Sequence, residues 1–216
     1  TLLFSVDSYL NTAWAYIRGL EKRVAEGKDI SKISSVASFF LSRIDSKIDG
    51  KIDDKLAQGV DDITLEAKLK SVKGKVAIAN AKIAYQEYKK IINDKRWQAL
   101  AEKGAKVKRL LWASTSTKDP SYSDVMYVDE LIGKDTVNTL PPVTIEACAD
   151  HCDVESRVET DIAAYKTIES LKDPDINIDL DRVMDELLSE GIDKFIKPFQ
   201  SLISSLEDKV KQLSPV

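Results

Sequence analysis

The amino-acid sequence predicts an α/β fold in which short parallel strands are covered by helices. Three features carry this expectation. Four short apolar segments, Thr1 to Ser5, Ser35 to Phe40, Arg109 to Ser114 and Thr136 to Leu140, have strand character and are bounded by polar or helix-starting residues. None alternates cleanly between apolar and polar residues, which is the pattern of strands buried on both faces. The stretches between them carry apolar residues at helical spacing, so the chain follows the order of βαβ units.

The opening Thr1-Leu2-Leu3-Phe4-Ser5 reads as the middle of a buried strand, and the sequence is expected to be a fragment. Leu10, Ala13, Trp14, Ile17, Leu20 and Val24 then recur every three or four residues, with Asp7 placed to cap a helix and Gly27 to stop it. Between the second and third strands, Val76, Ile78, Ala79, Ile83, Tyr85 and Ile91 mark a long helix, and the charged stretch from Lys47 to Lys73 is expected to form shorter helices. Beyond Pro141-Pro142, from about residue 143, the pattern is helical to the end. It runs first from Val143 to Cys152, then around Ile162, Tyr165, Ile168 and Leu171 until Pro174 breaks it. Leu180, Val183, Met184, Leu187 and Leu188 define the next helix, closed at Gly191. Phe199, Leu202, Leu206, Val210 and Leu213 define the last, with Pro198 starting or kinking it. No internal repeat or low-complexity linker divides residues 1–216, which read as a single domain.

A chain of 216 residues, 43% hydrophobic and 31% charged, can bury one sizeable core. Its 32 basic and 36 acidic side chains give a formal charge of -4, so no general basic field attracts nucleic acid or an anionic membrane, and any anion site must be local. No apolar run approaches the roughly 20 residues needed to span a bilayer, and a cytoplasmic protein is expected, or a plastid one if the source is a plant. Cys148, His151 and Cys152 raise the question of a metal centre, but a third or fourth ligand with suitable spacing is missing. Adjacent turns of one helix hold Cβ atoms farther apart than a disulfide tolerates, so two reduced thiols and no metal are expected. Trp14, Trp97 and Trp112 are expected to pack rather than stack on a ligand, and the lysine runs near Lys51, Lys70 and Lys89 to be solvated faces.

The segment Ser34-Ser-Val-Ala-Ser-Phe-Phe-Leu-Ser-Arg-Ile-Asp45 contains Ser38, Phe40 and Arg43 in the spacing Ser-x-Phe-x-x-Arg. It resembles the transaldolase strand that ends in a phosphate site. The blocks Gly74-Lys-Val-Ala-Ile-Ala-Asn-Ala-Lys82, Arg109-Leu-Leu-Trp-Ala-Ser-Thr-Ser-Thr-Lys-Asp-Pro120, Tyr127-Val and Thr136-Val-Asn-Thr-Leu-Pro141 extend the likeness. They are similar to the longer, bacterial and plant-type branch of that family, and the blocks fall in the family's order over essentially the whole chain.

The resemblance implies strands 5–8, with covering helices, of a TIM (β/α)8 barrel: its C-terminal half. It also implies transfer of a dihydroxyacetone unit between sugar phosphates through a lysine Schiff base, with no cofactor. The implied substrates are fructose 6-phosphate, sedoheptulose 7-phosphate, erythrose 4-phosphate and glyceraldehyde 3-phosphate. The family's lysine lies on the strand before Thr1, outside this chain, so the chain alone is expected to be inactive and to be completed by an N-terminal half or a second copy. Arg43, Ser38 and Ser114 are the implied phosphate donors, and Lys118 stands where many members carry a second arginine. Thr1 matches a threonine that positions the catalytic water, and Phe40 a ring lining the sugar channel. Read without the family, Arg43 beside Asp45 is an ordinary surface ion pair worth about 0–1 kcal/mol. Two other functions stay open: a non-catalytic remnant that binds a sugar phosphate or a protein, and another class I aldolase.

Overall fold

A computed structural model describes residues 1–60, 62–159 and 163–213. Its sheet holds three parallel strands in chain order, β1 (Val36–Phe40), β2 (Arg109–Ala113) and β3 (Val137–Asn138). The register pairs Val36 with Arg109 through to Phe40 with Ala113. On the other edge of β1 the first predicted strand contributes one parallel bridge, Leu3 to Phe39, with the Leu3 N–H on the Ser38 carbonyl and the Phe40 N–H on the Leu3 carbonyl. The fourth predicted strand shrinks to two residues. Thr139 turns its N–H and its hydroxyl onto the Trp112 carbonyl, and the chain enters a helix at Pro142.

Strand pleating sorts the side chains onto two faces. Ala37, Phe39, Leu110 and Trp112 are buried under helices, with the Phe39 and Trp112 rings edge to face at 6.2 Å. The Trp112 indole N–H is satisfied by the Leu131 carbonyl at 3.0 Å. Val36, Ser38 and Phe40 point the other way and remain only half-buried.

Helix α1 (Val6–Ala25) buries Tyr9, Ala13, Ile17 and Leu20 in the core, where it packs on β1 and on the helices that follow. Its cap is Ser5, not Asp7. The backbone of Ser5 is still extended where the bridge ends, so its hydroxyl can accept the Ser8 N–H at 3.2 Å, while Asp7 already lies in the first turn. Gly27, at φ +68°, ends the helix as its sequence position predicts. Four helices make the crossover from β1 to β2: α2 (Ser42–Ala57), α3 (Ile63–Val72), α4 (Val76–Ile92) and α5 (Lys95–Ala101). The central one is α4, whose Ala77, Ala81 and Ala84 are fully buried and let α1 and α2 approach closely. The charged stretch does form helices, and Ile44, Ile48 and Ile52 turn one side of α2 into the core.

After β2 come α6 (Met126–Leu131), α7 (Pro142–His151), α8 (Ala164–Ser170) and α9 (Leu180–Leu213). Ile162, expected in the same helix as Tyr165, lies outside the described residues. Gly191 and Pro198 do not separate two helices: α9 runs through both for 34 residues. Gly191 is a packing glycine, because a Cβ there would stand 2.7 Å from Leu2 Cδ2. The expectation of two free thiols is also overturned. Helix α7 stops at His151, so Cys152 is extended, its Cα comes within 4.4 Å of that of Cys148, and the two form a disulfide. Among the described residues no helix is long and apolar enough to cross a membrane.

Candidate phosphate-binding site

Parallel strands direct the chain's next turn, and whatever it carries, to their C-terminal ends. At the end of β1, Leu41 and Ser42 send their N–H groups to the carbonyls of Ala113 and Ser114, at 3.0 and 3.1 Å, so the exits of β1 and β2 are stitched together. The Ser42 and Ser114 hydroxyls lie 2.8 Å apart. Ser114 is held at φ 58°, a left-handed backbone that is costly for a residue with a side chain, and Ser42 supports it from both its N–H and its hydroxyl. Sequence reasoning passes over Ser42, which is fully buried and bonds the very serine that such reasoning singles out.

Arg43 leaves the first turn of α2 and lays its guanidinium over the Phe40 ring, 5.6 Å from the centroid. Phe40 and Ser38 are two residues apart on β1 and share its half-exposed face, so Ser38, Phe40 and Arg43 come to one side of the sheet. Ser38 is the third of five residues in β1, one pleat below the strand end where it was expected. Thr1 joins this group, its hydroxyl accepting the Ser38 N–H at 3.0 Å. Among the described residues Arg43 has no carboxylate partner. Asp45, the acid that could have made it a surface ion pair, is buried and turned away, taking the Ala77 N–H on Oδ1 and the Tyr127 hydroxyl on Oδ2, both at 2.8 Å.

Among the described residues Lys118 forms no hydrogen bond with this group. Its ammonium donates to the Ser116 hydroxyl at 2.8 Å, and it lines a separate pocket of about 460 Å³ over α2 with Asp45, Asp49, Asp53 and Tyr122. Burial is the main influence on Asp45 there, pushing its carboxyl up to about 7 against the lowering effect of its two hydrogen bonds. Asp49 is raised for the same reason, opposed by its bond from Tyr122. Family blocks draw attention to Arg43 and Ser114; Asp45 closes one of those blocks and Asp49 lies outside them, and the resemblance gives neither carboxylate a role. The available signal is their spacing: Asp45 and Asp49 sit one turn apart on the same side of α2 as Ile44, Ile48 and Ile52.

Two features elsewhere limit what this arrangement can do. Burial lowers the pKa of Lys108, a property suited to amine nucleophiles, yet its ammonium donates to Ser35 Oγ and the Val36 carbonyl at the opposite, N-terminal end of β1. His151 bonds Asp124 at 2.8 Å and Asp150 at 3.0 Å on the surface. Among the described residues no group of three or more His, Cys, Asp or Glu side chains could hold a metal ion. The grouped residues instead offer one forked cation and several hydroxyls, the donor set of an anion or phosphate site.

A family profile described as transaldolase/fructose-6-phosphate aldolase matches residues 1–206. The chain is 81% identical to a protein named transaldolase 2 from Nostoc sp., over 100% of this chain and 57% of that protein. It is 74% identical to a transaldolase of Trichodesmium erythraeum with the same coverage, and 43% identical to one of Saccharopolyspora erythraea over 98% of this chain and 55% of that protein. The chain thus spans a little over half the length of these relatives. With a parallel sheet whose strand exits carry serines and an arginine that has no carboxylate partner among the described residues, and with this match over nearly its whole length, the chain belongs to the transaldolase/fructose-6-phosphate aldolase family.

Proposed function

We propose that this chain is the C-terminal half of a transaldolase barrel and supplies the site that holds the phosphate of its sugar substrates. In this reading the complete protein moves a dihydroxyacetone unit from a ketose phosphate, such as fructose 6-phosphate or sedoheptulose 7-phosphate, to erythrose 4-phosphate or glyceraldehyde 3-phosphate. A lysine amine adds to the ketone, water leaves, and the iminium accepts the electron pair of the breaking carbon–carbon bond. That lysine belongs to the strand preceding Thr1, and the N-terminal half, or a second copy, pairs with the free edge beside Leu3. Arg43 takes the phosphate in a forked pair of N–H bonds, with hydroxyls from Ser114 and Ser38, while Phe40 lines the channel and Thr1 orients water. Lys118 adds a point charge at the rim once substrate is bound.

The observation that carries the reading is Arg43 itself: a guanidinium at a strand exit, stacked on Phe40, with no carboxylate partner among the described residues. Position adds to it, since barrel enzymes work at the C-terminal ends of their strands. A charged hydrogen-bonding group of this kind is worth about 1.5–3 kcal/mol. In the complete protein, Arg43→Ala should therefore weaken inorganic phosphate binding by roughly 10- to 100-fold, and unchanged affinity would remove the assignment.

The location of the nucleophile is tested separately. Borohydride reduction of the chain alone in the presence of fructose 6-phosphate should leave no covalent adduct, because this reading puts the nucleophile on the strand preceding Thr1, and Lys108 lies at the opposite end of β1 from Arg43. An adduct on Lys75, Lys82 or any other lysine of the chain, found by peptide mass mapping, would place the chemistry within this chain.

A further inference from the structure

The segment that follows β2 carries Ser114 at its start, and α2 grips that segment at both ends. At the near end the Ser42 N–H and hydroxyl engage Ser114. At the far end the Tyr122 hydroxyl donates to Asp49 Oδ2 and the Tyr127 hydroxyl to Asp45 Oδ2, each at 2.8 Å. The remaining oxygen of each carboxylate faces the start of α4: Asp45 Oδ1 accepts the Ala77 N–H at 2.8 Å and Asp49 Oδ1 the Gly74 N–H at 3.1 Å. Each aspartate is therefore a bridge from α4 to a tyrosine of the segment after β2.

Several details argue that these bridges do more than cap α4. A serine or asparagine would satisfy the same amides at a lower desolvation cost than a buried carboxylate. Asp45 and Asp49 are 1% and 7% exposed, and no lysine or arginine forms an ion pair with either among the described residues. Two separate oxygens, which a carboxyl group provides and a hydroxyl does not, are what the double engagement requires. The Tyr122 ring also lies directly on Gly74, where a Cβ would stand 2.8 Å from Tyr122 Cζ, so the backbone of the α4 entry is shaped around that ring. Ser114, at the other end of the segment, holds a left-handed backbone that costs roughly 1–2 kcal/mol and persists only while its surroundings fix it.

We infer that Asp45 and Asp49 are positioning residues for the phosphate subsite: through Tyr127 and Tyr122 they fix the segment after β2, so that Ser114 stays against Ser42 beside the turn that carries Arg43. This rests on the reading of Arg43 and Ser114 as phosphate donors. The groups act at a distance from the anion and contribute by holding its donors in place.

The test uses the complete protein with inorganic phosphate as the probe, measured by calorimetry at a temperature where near-ultraviolet circular dichroism shows every variant folded. Tyr122→Phe and Tyr127→Phe each remove one hydroxyl and leave the ring. Tyr122 is partly exposed, so that variant keeps the experiment informative if Tyr127→Phe fails to fold. Each should weaken phosphate binding about three- to tenfold, less than Arg43→Ala. Ile17→Val, a mild core change in α1 remote from the segment, should leave phosphate affinity within about twofold although it also lowers the melting temperature. If both tyrosine variants bind phosphate as the parent does while Arg43→Ala does not, the positioning role is overturned and the subsite stands. The positioning role is likewise overturned if Ile17→Val loses as much affinity as they do, because the effect then reports stability alone. If Arg43→Ala also binds normally, the subsite falls and the positioning role falls with it.

Discussion

Helix α1 and the second half of α9 have the same pattern and opposite fates. In α1, Tyr9, Ala13, Ile17 and Leu20 recur at helical spacing and are all buried in the core, under β1, α4 and α5. In α9, Phe195, Phe199, Leu202, Leu206 and Val210 recur at the same spacing, and each is at least half exposed. The first half of α9 behaves like α1, with Val183, Met184 and Leu187 in the core and Gly191 against Leu2. The change comes partway along one continuous helix, so neither helix propensity nor amphipathicity distinguishes the two regions. The difference lies in what is available to cover the apolar stripe. Periodicity specifies that a face is to be buried, and only the tertiary arrangement specifies against what. A contiguous apolar surface on this scale marks a place where protein is meant to pack, which agrees with the proposal that this chain is part of a larger barrel.

The largest expected effect tests the covered side. Trp112 is fully buried, contacts Phe39 edge to face and donates to the Leu131 carbonyl. Trp112→Ala removes that packing, leaves a cavity and orphans a buried carbonyl, a combination expected to cost about 3–5 kcal/mol. Urea unfolding of the chain measures it. A cost below about 1 kcal/mol, set against the large-to-small range for buried aromatics, would mean that the sheet–helix layer is loosely packed, and the contrast with α9 would collapse.

That contrast also shows where sequence reasoning succeeds and where it stops. β1 and β2 are legible to within a residue because buried parallel strands are short apolar runs between helical patterns. β3 is shorter than its apolar run suggests, since Thr139 belongs to the same neighbourhood yet uses its N–H and hydroxyl to turn the chain. A glycine that stops a helix and one that admits a neighbour are identical in sequence, and at Gly191 only the approach to Leu2 decides between the two. Arg43 and Ser114 are found through blocks of resemblance, and the stacking on Phe40 suits that reading. The carboxylate–tyrosine bridges are not, because Asp45 and Tyr127 are 82 residues apart and neither side chain is unusual alone. Continuous-helix geometry argues against a cysteine pair, but it ceases to apply where α7 ends one residue before Cys152.

A smaller effect should appear in the pH dependence of stability, and it too belongs to the covered region. Burial raises the Asp45 carboxyl to about 7, with Asp49 as a like charge nearby and the Ala77 N–H and Tyr127 hydroxyl opposing the rise. A folded-state pKa above the unfolded value means that the folded protein binds the proton more tightly. This contribution to stability is complete below about pH 4 and is lost as pH rises through about 7. Between about pH 5 and pH 7.5 the parent chain should lose on the order of 1–3 kcal/mol that Asp45→Asn does not lose, since tighter proton binding in the folded state is worth about 1.4 kcal/mol per tenfold. Parallel urea titrations of the two proteins provide the comparison. Equal slopes against pH would show that the bridge holds its proton no more tightly than an exposed carboxyl, and that the α2–α4 contact is wetter than the covered side of the molecule should be.

The smallest expected effect is the most discriminating. Phe199 is 63% exposed, so Phe199→Ala in this chain removes little packing and should change the unfolding free energy by no more than about 0.5 kcal/mol, the usual range for a surface site. In the complete protein of the proposed reading, the same substitution removes a buried ring if the proposed N-terminal half covers α9, and the cost should then rise toward the roughly 3–5 kcal/mol typical of a core phenylalanine. The difference between the two measurements, rather than either alone, reports burial of the stripe by residues outside this chain. Self-association is separated from this by concentration. If two copies of the chain cover each other through α9, Phe199→Ala will already be costly in the chain alone, and its melting temperature will rise with protein concentration. If the substitution is neutral in both contexts and the melting temperature is independent of concentration, the stripe remains solvated in the finished molecule. α9 would then have to be explained without a partner, and the completion of the barrel across this face would be wrong.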